Sequence, residues 1–386
     1  YNYKYSSYRG SYSAKSKEEV AYLIPVSEGV EVTIQPMTDI NNTLKGETNN
    51  NNYVGISFRF ENPTLICSPR KGVISQIKID EELKGQNYSY SSLDNFIEIY
   101  HEDGTFTRLS VLKPGSAKVK LGDTVFPGQP LAESSGEKYE SGPHVRMIQS
   151  RLKKYDNELK WESFPVKLYD NEKGEIQAEK GKKVVSTHPI EMIIKEMTKK
   201  EIVGTFLGAV AKQDTVTMRK FANADYIQHN PFVPSGLEPF IGLLPVLKEH
   251  GTYAENVRMF QDGNYVFMHN IWKNATPFGA DEMVAFDIIR VDENGKVAEH
   301  WDAMTVVVKE TASGRTQTDG PTAVEDLDKT EANKALAIAL IEDVLMGKNP
   351  GKINEYISAE QYDQHNPGIN DGLSGIVEAV QHLTAQ

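Results

Sequence analysis

The feature that most limits how this chain can fold is a repeat. Tyr226–Gly236 reads YIQHNPFVPSG and Tyr362–Gly372 reads YDQHNPGINDG. Tyr, Gln, His, Asn, Pro and Gly recur at one fixed offset, His229 returning as His365. Upstream, both copies carry an amphipathic helical pattern followed by a short second helix. A duplicated unit must bury its apolar face twice. After the first copy come four strand-like runs, Glu255–Gln261, Tyr265–Trp272, Asp281–Val291 and Lys296–Val308, with Asn294-Gly295 as the turn between the last two. The counterparts of those runs would fall beyond Gln386, where the sequence stops. Residues 329–386 are therefore expected to be the helical half of a second domain, its sheet supplied by further chain or by another element.

The rest of the chain divides by hydrophobic period. Residues 1–20, rich in Tyr, Ser and Lys, show neither a period of 2 nor of 3.6 and read as an extended arm. The tract Asn49–Asn52 reads as a loop. From Val54 to about Pro165 short β-branched or aromatic runs, such as Gly72–Ile79 and Asn95–Tyr100, alternate with turn pairs such as Asp103-Gly104 and Pro127-Gly128. From Pro189 the period changes. Ile190, Ile193, Ile194, Met197, Ile202, Phe206 and Val210 fall at helical spacing. Further helices are predicted over 215–223 and 236–249. The expected fold class is multidomain: a mainly-β domain over 21–187, an α+β domain over 188–310, a polar linker over 311–328 and the second helical half.

Composition excludes several functions. The formal net charge is −12 and no basic patch is evident, which argues against nucleic acid as a partner. No apolar run approaches the roughly 20 residues a membrane span needs. The single cysteine, Cys67, rules out a disulfide framework or a multi-cysteine zinc site.

Residues 20–170 look like the LytM/lysostaphin-type zinc peptidase family, which cuts peptidoglycan crosslinks. The matching stretches are Thr64–Val73, Asn95–Leu112, Val119–Ala132 and Ser141–Met147 (SGPHVRM). The family holds zinc with a His, an Asp and the second His of an H-x-H. Here the Asp falls on Ser57, the second His on Arg146, and a further catalytic His on Val111; no histidine precedes His101. The resemblance thus implies an inactive peptidase-like domain without metal. His144 and Arg146 remain as candidate groove residues, touching a cell-wall or protein partner. It also implies a secreted, periplasmic or cell-surface location.

Residues 189–310 resemble the SnoaL-like polyketide cyclase family, within the cone-shaped nuclear transport factor superfamily. The matching residues are Tyr226–Pro231, Gly236, Phe286–Arg290 and Gly295–Asp302 (GKVAEHWD). On a strand, His300 and Asp302 share a face and Trp301 takes the other. A His and an Asp in a partly dry pocket suit proton abstraction beside a carbonyl. The resemblance implies this chemistry without metal or organic cofactor, on a small apolar ligand. His300 and Asp302 are the expected acid–base pair, His229 and Asn230 substrate contacts, and His269 and Asp287 pocket lining. Three functions stand open: a non-catalytic extracytoplasmic binding or assembly protein that self-associates, a small-molecule enzyme of aldol, cyclase or isomerase type, and a structural subunit of a surface appendage.

Overall fold

A computed structural model describes residues 9–11, 13–17, 20–37, 55–91, 93–156 and 158–384. The tract Asn49–Asn52, the predicted strand start at Val54 and the first residues of the arm lie outside them. The chain forms two compact units, Tyr1–Met197 and Thr198–Gln386. It contains several sheets, with helices concentrated in the second unit.

The first unit is built on a nine-stranded sheet. Its strands run in the order Lys183–Val185, Glu31–Pro36, Gly55–Arg59, His144–Tyr155, Thr105–Ser110, Phe96–Tyr100, Gly72–Lys78 and Thr124–Val125, with Glu158–Ser163 paired to the long His144 strand. Ile34, Phe58, Ile97, Ile99, Leu109, Val145 and Met147 pack its core. The described part of the arm lies on this sheet rather than reaching away. Arg9 bonds Glu98 at 2.5 Å, Arg151 bonds Ser16 at 2.6 Å, and the Lys17 amide donates to Asp103 at 2.8 Å.

Arg146 and His144 are not groove residues. Arg146 sits across from Ser57 and Ser110 in the sheet register and is 2% exposed. Its guanidinium bonds Asp94 at 3.0 Å and the Ser89 carbonyl at 3.1 Å, between the rings of Tyr90 and Tyr139. Asp94 also accepts a bond from the Tyr139 hydroxyl. His144 is equally buried, with Nδ1 held 2.7 Å from the Gly142 carbonyl oxygen, and burial pushes its pKa down to about 4. Both side chains are committed to the interior, so neither is presented to a partner.

The first helix predicted from the sequence is broken. Ile190–Lys195 belongs to the first unit, where the Glu196 carboxylate accepts from the Lys71 amide at 2.6 Å. A new helix runs over Lys199–Lys212, started by Thr198 and Glu201 in a reciprocal capping box. Thr215–Phe221 and Leu237–His250 follow, the latter within a residue of its prediction.

Residues 222–228, read in part as helix, form a strand. It opens a five-stranded sheet ordered Ala222–Gln228, Val297–Val306, Glu282–Val291, Tyr265–Lys273, Tyr253–Asp262. The first pair is parallel and the others antiparallel. Val266, Met268, Asn270, Ala285, Asp287 and Ile289 are buried, and they share one face of the sheet by alternation. Apolar residues of the Lys199–Lys212 helix, Ile202, Val203 and Phe206, are buried too.

The repeat is real at the level of individual bonds. In the first copy the Asn230 amide donates to Gln228 Oε1 (3.0 Å), the Phe232 amide to Asn230 Oδ1 (2.9 Å) and the Gly236 amide to the Tyr226 carbonyl (2.7 Å). In the second the Asn366 amide donates to Gln364 Oε1 (2.9 Å), the Gly368 amide to Asn366 Oδ1 (2.9 Å) and the Gly372 amide to the Tyr362 carbonyl (2.8 Å). Helices Thr330–Leu340, Ile353–Tyr356 and Gly372–Thr384 complete the second copy, and no strand follows Val306 among the described residues. The predicted linker is packed rather than free. Arg258 donates to the carbonyls of Thr318, Asp319 and Gly320, and Arg315 pairs with Asp363 and Asp371.

Replacing Arg146 with Ala leaves Asp94 buried without its counter-charge, with an expected cost of about 3–5 kcal/mol in denaturant unfolding. Burial raises the Asp94 carboxyl from 3.8 to about 6, against the pull of Arg146. A carboxyl raised by folding contributes stability that is full below its unfolded pKa and lost as pH rises through the folded one. The variant's loss should therefore be larger at about pH 8 than at about pH 5, where Asp94 can take up a proton.

Candidate functional site

The inward face of the second unit's sheet carries one polar cluster. Asp287 lies directly opposite Asp302, Ile289 opposite His300, and Gln228 opposite His300 on the parallel side. Asp287, His300 and Asp302 therefore project together. Their donor atoms lie within 4.8 Å of one another, the single grouping of His, Cys, Asp or Glu among the described residues that could share a metal ion. Asp287 is buried and the other two are half-buried.

Each member is held by a neighbour. His300 Nε2 lies 3.1 Å from Asp287 Oδ1, and its Nδ1 lies 3.0 Å from Gln228 Oε1. Asp287 Oδ2 accepts from Asn270 Nδ2 at 2.6 Å, and Asn270 Oδ1 accepts from Asn256 Nδ2 at 2.8 Å. Asp302 Oδ2 accepts from Asn230 Nδ2 at 2.8 Å, its one hydrogen bond among the described residues. The Tyr226 hydroxyl accepts from Gln228 Nε2 at 3.2 Å. Burial first, then the charges of Asp302 and Asp287, hold the Tyr226 proton on well above the usual phenol range. Tyr226 is thus a neutral hydroxyl in a site that contains two carboxyl groups.

Of the residues expected here, the structure brings together His300, Asp302, Asp287 and Asn230. It separates His229 and His269. His229 is 42% exposed, stacks on Trp301 at 4.7 Å and bonds Glu299 at 2.8 Å. Residues 299 and 301 take the face opposite to 300 and 302, so His229 is on the outside of the sheet. His269 is outside as well, stacked at 4.3 Å on the exposed Phe286, with Nδ1 accepting from Arg258 at 3.1 Å. Burial and then the Arg258 charge push its pKa down. The inward position on that strand belongs to Asn270. His144 and Arg146 lie in the other unit, buried as described above. Three members of the cluster, Gln228, Asn270 and Tyr226, were not singled out from the sequence. Alternation within their strands was the available signal: Val266, Met268 and Asn270 share parity, as do Tyr226, Gln228 and Asn230.

No family model matches the chain, and no curated protein matches it. Solved structures do. IdmH from Streptomyces antibioticus, named as a candidate polyketide cyclase, is 18% identical over 28% of this chain and 92% of its own, with a TM-score of 0.24. An NTF2-like protein from Cytophaga hutchinsonii is 15% identical over 28% of this chain and 91% of its own, at 0.25. A protein from Agrobacterium tumefaciens, named as a candidate isomerase of the SnoaL-like family, is 14% identical over 28% of this chain and 99% of its own, at 0.24. None of these comparisons supports the peptidase resemblance of residues 20–170. Among the described residues no helix is long and apolar enough to cross a membrane.

Asn270→Ala strips Asp287 Oδ2 of its donor inside the fold and is expected to cost about 1–3 kcal/mol. His229→Ala, on the outer face, should cost less than about 1 kcal/mol. Chemical denaturation of the two variants beside the parent protein checks the contrast.

Proposed function

We propose that the second unit is a small-molecule enzyme that moves a proton at carbon next to a carbonyl, the chemistry of aldol, cyclase and isomerase reactions. The observation that carries this reading is the inward pairing of His300 and Asp302 beside Asp287 and the neutral Tyr226. Asp302 has one oxygen occupied by Asn230, which leaves the other to approach a substrate C–H. Breaking that bond sends the electron pair onto the carbonyl oxygen and the proton onto Asp302. The Tyr226 hydroxyl is a donor for the developing enolate oxygen, and His300 places a polar N–H edge in the same cluster. Return of the proton to a different atom gives isomerisation; attack of the enolate carbon on a second carbonyl gives ring closure. Such positioned proton transfer contributes about 10²–10⁴-fold in rate.

Because both carbonyl and C–H must fit among Tyr226, His300 and Asp302, the substrate class is a compound with an activated methylene, such as a β-dicarbonyl. Among the described residues no contact favours the non-catalytic binding role over this one.

The test is exchange of methylene hydrogens of β-dicarbonyl compounds in D₂O, followed by NMR with the full chain. Asp302→Asn should slow enzyme-dependent exchange by about 100-fold or more, with a melting temperature within a few degrees of the parent's. Parent-like exchange by the variant would remove Asp302 from the role of base, and with it this function. His229→Ala, on the opposite face, should exchange at the parent rate.

A further inference from the structure

The hydrogen-bond network around His300 has only one consistent orientation. A backbone N–H can only donate, so the Gln228 atom that faces the Asn230 amide at 3.0 Å is the oxygen. The same oxygen faces His300 Nδ1 at 3.0 Å, and an amide oxygen can only accept. Nδ1 therefore carries a hydrogen. The opposite end is fixed in the same manner. Asn256 Nδ2 donates to the Arg258 carbonyl at 3.0 Å and to Asn270 Oδ1, which turns the Asn270 amide nitrogen onto Asp287 Oδ2. Asp287 Oδ2 is thus an acceptor, and a single proton lies between Asp287 Oδ1 and His300 Nε2.

We infer that Gln228 is a positioning residue that fixes the tautomer of His300 and so divides the labour of the site. With Nδ1 protonated and Nε2 tied to Asp287, the imidazole has no lone pair to offer a substrate. His300 and Asp287 form a dyad that supplies polarity without accepting a proton from outside. Asp302 is left as the only base. Its orientation is fixed independently, because the Phe232 amide holds Asn230 Oδ1 and so aims Asn230 Nδ2 at Asp302. Strand parity explains the pairing of these two roles. Gln228 and Asn230 are two residues apart and point inward together, one bonding His300 and the other Asp302.

This inference rests on the proton-transfer reading of the site, but its test needs no substrate. The ring nitrogens of His300 are read by long-range ¹H–¹⁵N correlation on the full chain, with His300→Gln identifying the signals. The folded parent protein should show a protonated-type Nδ1, alone or together with Nε2. In Gln228→Leu the acceptor is gone, and the neutral ring should switch to the Nε2–H form. Gln228→Glu keeps an oxygen in place and should restore the parent pattern, an effect that loss of packing would not produce. An unprotonated Nδ1 in the folded parent, or an unchanged pattern in Gln228→Leu, overturns the inference. A parent-like exchange rate in Asp302→Asn with the tautomer as expected overturns only the catalytic reading.

Discussion

Two carboxyl groups face each other across neighbouring strands inside the second unit, and the polar half of that interior is arranged around them. Like charges directly opposite on a sheet repel, and burial strengthens the repulsion. Asp287 and Asp302 occupy such a pair of positions. The fold answers with donors rather than distance. Asn270 and His300 converge on Asp287, and Asn230 on Asp302. None of these three donors is free to turn, because each is oriented by a further hydrogen bond to Asn256, Gln228 or the Phe232 amide. The site is therefore rigid for the same reason that it is stable.

The duplicated loop shows which part of this arrangement is architecture. Gln364 and Asn366 repeat the backbone-to-side-chain bonds of Gln228 and Asn230, and Asp371 caps the Gln364 amide where Ser235 caps that of Gln228. Yet the second copy has no paired strand among the described residues. The Q-H-N-P motif thus closes its own turn without help from a sheet. What the first copy adds is a strand laid parallel to the loop's approach, with His300 opposite Gln228. The motif makes the loop and the register makes the site.

Much of the α+β unit was legible in the sequence, and the failures have a common physical cause. Alternation placed His300 and Asp302 on one face because both stand in a run whose period of 2 is plain. The helix predicted over 215–223 overran the start of the Ala222–Gln228 strand, and the parity rule was not applied to 226, 228 and 230. His229 was expected to contact a substrate, although its neighbours on either side are the inward residues. His269 was misplaced by one position for a related reason. A single-residue slip moves every side chain of a strand to the other face, and the burial of Val266 and Met268 fixes the inward parity on Asn270. The break at Thr198 was visible too, as a T-x-x-E capping box interrupting a continuous apolar period. The strands 72–78 and 96–100 of the first unit came through with nearly their expected bounds, since each is a β-branched run closed by turn residues.

The two units treat buried charge differently, and the difference bears on the proposed function. In the first, the Arg146 guanidinium meets a carboxylate, a carbonyl and two aromatic faces. Asp94 accepts one bond on each oxygen, from Arg146 and from the Tyr139 hydroxyl. Asp302 is the counter-case. It is half-buried, next to a second carboxyl and a proton-retaining Tyr226, and one of its oxygens has no hydrogen bond among the described residues. Burial with incomplete satisfaction is costly in a purely structural group. Asn230, itself oriented by the Phe232 amide, holds one oxygen of Asp302, and the other is the atom that the proposed chemistry uses.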